Sequence, residues 1–144
     1  MRRSRGFTLI EIAVVVTVIA LLASIVIVSF NQVQKRSRDD MRTVQVTALK
    51  TALDRYYNDN GEYPVCPGGP NSECSASQYL TPILVPTYTS SVPDQPNNQP
   101  YSYVRGTPGD SYGIFVNYEV LLACKTGRNM SATWYGGWSS VCSL

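Results

Sequence analysis

A chain of 144 residues, 44% hydrophobic and 15% charged, holds one small domain and an additional segment. Twelve Lys and Arg against ten Asp and Glu leave a net charge of +2, too little for a basic nucleic-acid surface. The absence of histidine excludes His-dependent triads and His-ligated metals. Phosphate-loop and nucleophile-elbow motifs are missing too, and the adjacent carboxylates Asp39 and Asp40 would point apart on a helix, so the reading is not an enzyme.

The N-terminus sets the organisation. Arg2, Arg3 and Arg5 precede Gly6, and residues 12–30 then carry no charge, with only Thr17, Ser24 and Ser29 polar. As a helix this run is ~28 Å long, close to the thickness of a bilayer core. A secretory signal would have a shorter apolar stretch with a small-residue cut site behind it. Here the small residue, Gly6, lies ahead of the apolar run. A cut there discards the arginines and keeps the hydrophobic helix, leaving nine basic residues against ten acidic ones. The arginines also hold the N-terminus in the cytoplasm and place the remainder across the membrane. Glu11 stands at the edge of the apolar run, where a carboxylate is costly. A plain membrane anchor accounts for length and periodicity but not for Glu11. An amine on Phe7, four residues earlier or on another subunit, would offset its charge.

Residues 1–30, with RGFTLIE at 5–11, resemble the cleavage and methylation motif of type IV pilins and pseudopilins. The resemblance implies that a prepilin peptidase cuts between Gly6 and Phe7 and methylates the new amine, and that Glu11 serves assembly. It further implies an inner-membrane assembly platform and an ATPase as partners. The family often has a proline late in the apolar helix; this sequence has Val28 there, so no proline kink is expected.

Residues 31–59 continue as an amphipathic helix. Met41, Val44, Ala48, Ala52 and Tyr56, with Leu49 and Leu53, form its expected apolar stripe, and Asp39 and Asp40 belong to its polar surface. From about residue 7 to 59 the helix would measure on the order of 80 Å. Asn60, Gly61 and Pro64 mark its end. Residues 61–100 hold eight of the nine prolines and read as loop. Residues 88–103 resemble the loop entering the first strand of type II secretion pseudopilins and related small pilins.

Four cysteines follow the span. An even count in an exported segment indicates disulfides, and the spacings do not match zinc pairs. Cys66–Cys74 and Cys124–Cys142 each enclose a segment poor in packing residues, which favours local pairing; the rival is Cys66–Cys142 with Cys74–Cys124. Asp94, Asn97, Asn98 and Asp110 are the oxygen-bearing candidates for calcium, which takes six to eight oxygens. No other cofactor is indicated.

Alternation over residues 112–122 predicts a long strand, with residues 101–104 and 131–135 as partners. Trp134, Tyr135 and Trp138 cluster near the C-terminus, suited to core packing or to contact with a receptor or single-stranded DNA. Asn129, Met130 and Ser131 fit a glycosylation sequon.

The expected fold is α+β and pilin-like. Residues 1–6 are a leader and 7–30 the transmembrane and assembly half of the long helix. The head, 31–144, comprises helix to about residue 60, a Pro-rich loop over 61–100 and an antiparallel sheet over 101–144. The expected protein is a single-pass inner-membrane precursor with its head outside, then a homo-oligomeric periplasmic or extracellular filament, a pilus or pseudopilus. The alternative is a minor pilin or tip module for surface adhesion or DNA uptake.

Overall fold

The computed structural model describes residues 6–137 and 140–142. The chain divides into two compact units, residues 1–36 and 37–144. The first is the N-terminal part of helix α1 (Leu9–Asn60), which is continuous through Val28. Its side chains from Leu9 to Ile25 are exposed, and α1 contains a window long and apolar enough to cross a membrane.

The second unit is the head. From Ser37 onward α1 turns Val46, Leu49, Ala52 and Leu53 into the core. This corrects the expected stripe by a partial turn: Met41, Val44 and Ala48 are exposed, whereas Asp39 and Arg42 are buried. The reason is electrostatic pairing across the head, described below. The helix ends where Gly61, at φ 76°, sends its N–H back to the Tyr57 carbonyl at 2.8 Å. Beyond it, Tyr63 stacks on Tyr57 and tilts against Tyr112, and its hydroxyl donates to Asp54. Burial pushes the Tyr63 phenol up to about 12.

The expected loop over 61–100 contains two elements, β1 (Glu73–Ser75) and α2 (Ala76–Leu84). Ser75 caps α2 by accepting the Gln78 N–H, and Ala76, Leu80 and Leu84 recur every fourth residue and are buried. The prolines concealed this spacing. Pro82 does sit inside the helix, at the cost of the one hydrogen bond its missing N–H would make.

The sheet continues with β2 (Ser102–Arg105), β3 (Tyr112–Val116), β4 (Cys124–Arg128) and β5 (Ser140–Val141), in the order β1-β2-β3-β4-β5. Neighbours are antiparallel from β1 to β4, but β5 pairs parallel to β4, so the sheet is mixed rather than antiparallel and begins before residue 101. Tyr101, Tyr103, Tyr112, Ile114 and Val116 share one core with the α1 and α2 residues.

Two expected strands differ. The long strand over 112–122 stops at Val116, because α1 draws the chain out of the ladder at Glu119 and Val120. The strand over 131–135 is absent. Its place is taken by β4, whose Cys-Lys-Thr-Gly-Arg sequence lacks an apolar alternation. Lys125 in β4 is buried and donates to the carbonyls of Ser131, Ala132 and Trp134, which keeps residues 131–134 off the sheet. A 3₁₀ turn (Trp134–Gly137) follows, with Tyr135 at φ 58°. Trp134 lies against Gly106 and Gly113; a Cβ on either would come within 2.8 and 3.0 Å of the indole.

Candidate assembly site

Gly6 and Phe7 precede α1 and are exposed. Thr8 and Glu11 form a reciprocal cap at the helix start. Thr8 donates to Glu11 Oε2 through both its N–H and its hydroxyl, each at 2.8 Å, and Thr8 Oγ1 accepts the Glu11 N–H at 3.3 Å. This is a capping box, which satisfies backbone donors that the first turn otherwise leaves open. The capping role of Glu11 is separate from the charge pairing and assembly role expected of it. The Thr-x-x-Glu spacing ahead of an apolar run was the available signal. Both bonds fall on Oε2, and among the described residues no donor reaches Oε1.

A second constellation was missed outright. Asp39 Oδ1 accepts from Arg42 Nη1 at 2.8 Å and from the Glu119 N–H at 2.8 Å, while Oδ2 accepts the Val120 N–H at 2.9 Å. Arg42 Nη2 donates to Glu119 Oε1 at 2.9 Å, and Arg38 grips both Glu119 oxygens. Hydrogen bonds from Arg38, then Arg42, depress the Glu119 carboxyl to about 2. This clamp ties the segment after β3 to α1. A buried ion pair carries a desolvation cost that its hydrogen bonds offset, so its role is to fix one arrangement of that segment. Charged residues one helical turn apart resemble ordinary surface in a sequence, and Glu119 is eighty residues away.

The cysteines pair locally, as expected: Cys66–Cys74 and Cys124–Cys142, with Cα separations of 5.7 and 5.1 Å. Non-reducing peptide mapping is expected to return these two links. Replacing Cys124 and Cys142 together by serine should cost on the order of 3 kcal/mol by the chain-entropy model, read as a lower denaturation midpoint.

Of the calcium candidates, Asp94, Asn97 and Asn98 lie in the turn before β2, where the Gln95 N–H donates to the Gln99 carbonyl and the Asn98 N–H to the Gln95 carbonyl, and Asp110 lies in the β2–β3 loop. Among the described residues no group of three or more acidic, Cys or His side chains is placed to hold a metal. Trp134 is buried and donates from Nε1 to Asn71 Oδ1 at 3.1 Å; the Tyr135 hydroxyl donates to the carbonyls of Ser102 and Gly113. Both are committed to packing the outer sheet face. Trp138 lies outside the described residues.

Comparison with known proteins decides the family. Residues 1–27 match the prokaryotic N-terminal methylation motif, and residues 29–119 match the family model for type II secretion system protein G. The chain belongs to the type II secretion protein G family. Relatives of this pseudopilin include the type II secretion system core protein G of Dickeya chrysanthemi, 33% identical over 88% of the chain and 74% of the relative. That of Escherichia coli K12 is 32% identical over 88% of the chain and 85% of the relative. The type IV major pilin protein PilA of Myxococcus xanthus is 39% identical over 42% of the chain and 28% of the relative. No solved structure matches. As a pseudopilin the chain is a structural subunit of a pilus-like filament, with an apolar N-terminal helix for assembly. The protein G match ends at Glu119, the last side chain of the clamp.

Proposed function

We propose that this pseudopilin is held in the inner membrane as a single-pass precursor with its head outside, is cut after Gly6 by a prepilin peptidase, and is methylated at the Phe7 amine. The processed subunits then polymerise with copies of themselves, the Phe7 amine of one subunit meeting Glu11 Oε1 of another. The observation that carries this reading is the capping box, which commits Oε2 to Thr8 and leaves the second oxygen for an incoming cation. Two disulfides in the head support an oxidising compartment. An assembly platform and an ATPase supply the energy for extension, since the chain carries no phosphate-binding motif, and its own role is structural, without catalysis.

Filaments sheared from cells that express the full chain provide the test. Mass spectrometry should find mature subunits beginning at Phe7 with one methyl group on the amine. A mature chain that begins within or after the apolar run refutes the proposal, because the helix would then be a discarded secretory signal.

A further inference from the structure

Beyond the protein G match, the head displays apolar surface that its own folding does not use. The loop joining β3 to β4 is held at both ends. Asp39 fixes the Glu119 and Val120 amides, and the Cys124–Cys142 bridge anchors the start of β4. Between these anchors Leu121 is 64% and Leu122 86% exposed, and Val141 nearby is 66% exposed. With Tyr118 and Thr43 they line a groove of about 540 Å³. A second apolar face lies on α1, where Met41 and Val44 are 55% and 70% exposed and border a shallow depression with Ser37 and Asp40. At 100° per residue these two side chains point away from buried Arg42 and Val46. The groove and the α1 face have no residue in common.

We propose that the Leu121–Leu122 loop of one subunit docks on the Met41–Val44 face of the next copy in the filament. The inference rests on the filament reading, which supplies the occupant: neighbouring subunits meet at high effective concentration once their stems associate. A contact between two different patches of the same chain is heterologous and propagates into an open helix, whereas a self-complementary patch would close as a dimer. The clamp and the bridge hold the loop before it binds, so little conformational freedom is lost on docking. Methionine at the receiving face adapts to two branched leucine side chains. Met41 and Val44 also belong to the helix whose apolar part already forms the subunit interface, so the contact extends that interface and sets the register of the heads.

The experiment places a photo-crosslinking benzoylphenylalanine at position 122 of the full chain and irradiates sheared filaments. A dimer whose crosslink maps from position 122 to Met41 or Val44 is expected. A crosslink to another region, to another polypeptide, or to nothing overturns the proposal. In parallel, Leu121→Ser with Leu122→Ser should lower sheared filament at least about tenfold, in the range of an interface hot spot. The detergent-solubilised variant should keep the wild-type melting temperature, because both leucines are exposed. Wild-type yield of the double variant, or lost filament accompanied by a lowered melting temperature, also counts against the contact. The two readings fail separately: absence of wild-type filaments removes the filament reading, whereas filaments with crosslinks elsewhere remove only the docking.

Discussion

Cells producing only the Glu11→Ala variant will insert the precursor in the membrane at wild-type levels and will carry no detectable filaments. Insertion is unharmed because the substitution removes a carboxylate from the edge of an apolar span. Assembly is lost because the Phe7 amine has no counter-charge on its neighbour. Alanine also removes the acceptor for Thr8, so Glu11→Gln is the sharper comparison. Glutamine preserves a capping box but carries no charge. The Glu11→Gln variant should therefore start its helix normally and still fail to assemble. Membrane fractionation reports insertion, and immunoblots of sheared fractions report filaments. Wild-type filament yield from the Glu11→Gln variant would assign Glu11 to helix capping alone and exclude the charge pairing.

The largest effect on stability is expected at Asp39. Its carboxylate is buried and accepts from Arg42 and from two backbone amides of the loop after β3. Asp39→Ala leaves the buried Arg42 guanidinium with Glu119 as its remaining partner and strips two N–H groups of their acceptors. Removing one member of a buried pair costs about 3–5 kcal/mol. For a head of roughly this size that corresponds to a fall in melting temperature of about 15 °C. Leucine at both positions 39 and 42 should be less damaging than Asp39→Ala, since no buried charge is then left unpaired. Thermal melts of the full chain in detergent decide this, and a double variant as unstable as the single one would refute the pairing argument.

Acid probes the same clamp through Glu119. Its carboxyl titrates at about 2 in the folded head against an ordinary 4.5, because Arg38 and Arg42 bond the ionised form. The stabilisation is present in full above pH 4.5 and drains away as pH falls from 4.5 toward 2. Solvent screens a carboxylate that is 27% exposed, which keeps the effect modest. Glu119→Gln should flatten the acid limb in this window, and an unchanged limb would show that the clamp contributes nothing there.

The sequence by itself determined the N-terminal logic: Arg2 to Arg5, Gly6, Phe7 and Glu11 ahead of an uncharged run are linear signals, and their chemistry does not depend on the rest of the fold. It also determined the amphipathic continuation of α1 and the stop at Gly61, and it favoured the local disulfides, each set by residues close together in the chain. What only the tertiary structure decided is which residues become partners across long separations. Asp39 and Arg42 resemble solvent-facing residues of an ordinary helix until Glu119 arrives from eighty residues away. The alternation over 112–122 predicts a strand twice as long as the real one, because no sequence pattern shows that the Asp39 carboxylate will take the amides of Glu119 and Val120. Lys125 likewise reads as surface, yet it is buried and holds three carbonyls of the segment expected to be the last strand. Pattern reading succeeds where hydrophobicity and local geometry dominate. It fails at these positions because a buried polar group takes its partner from the assembled fold.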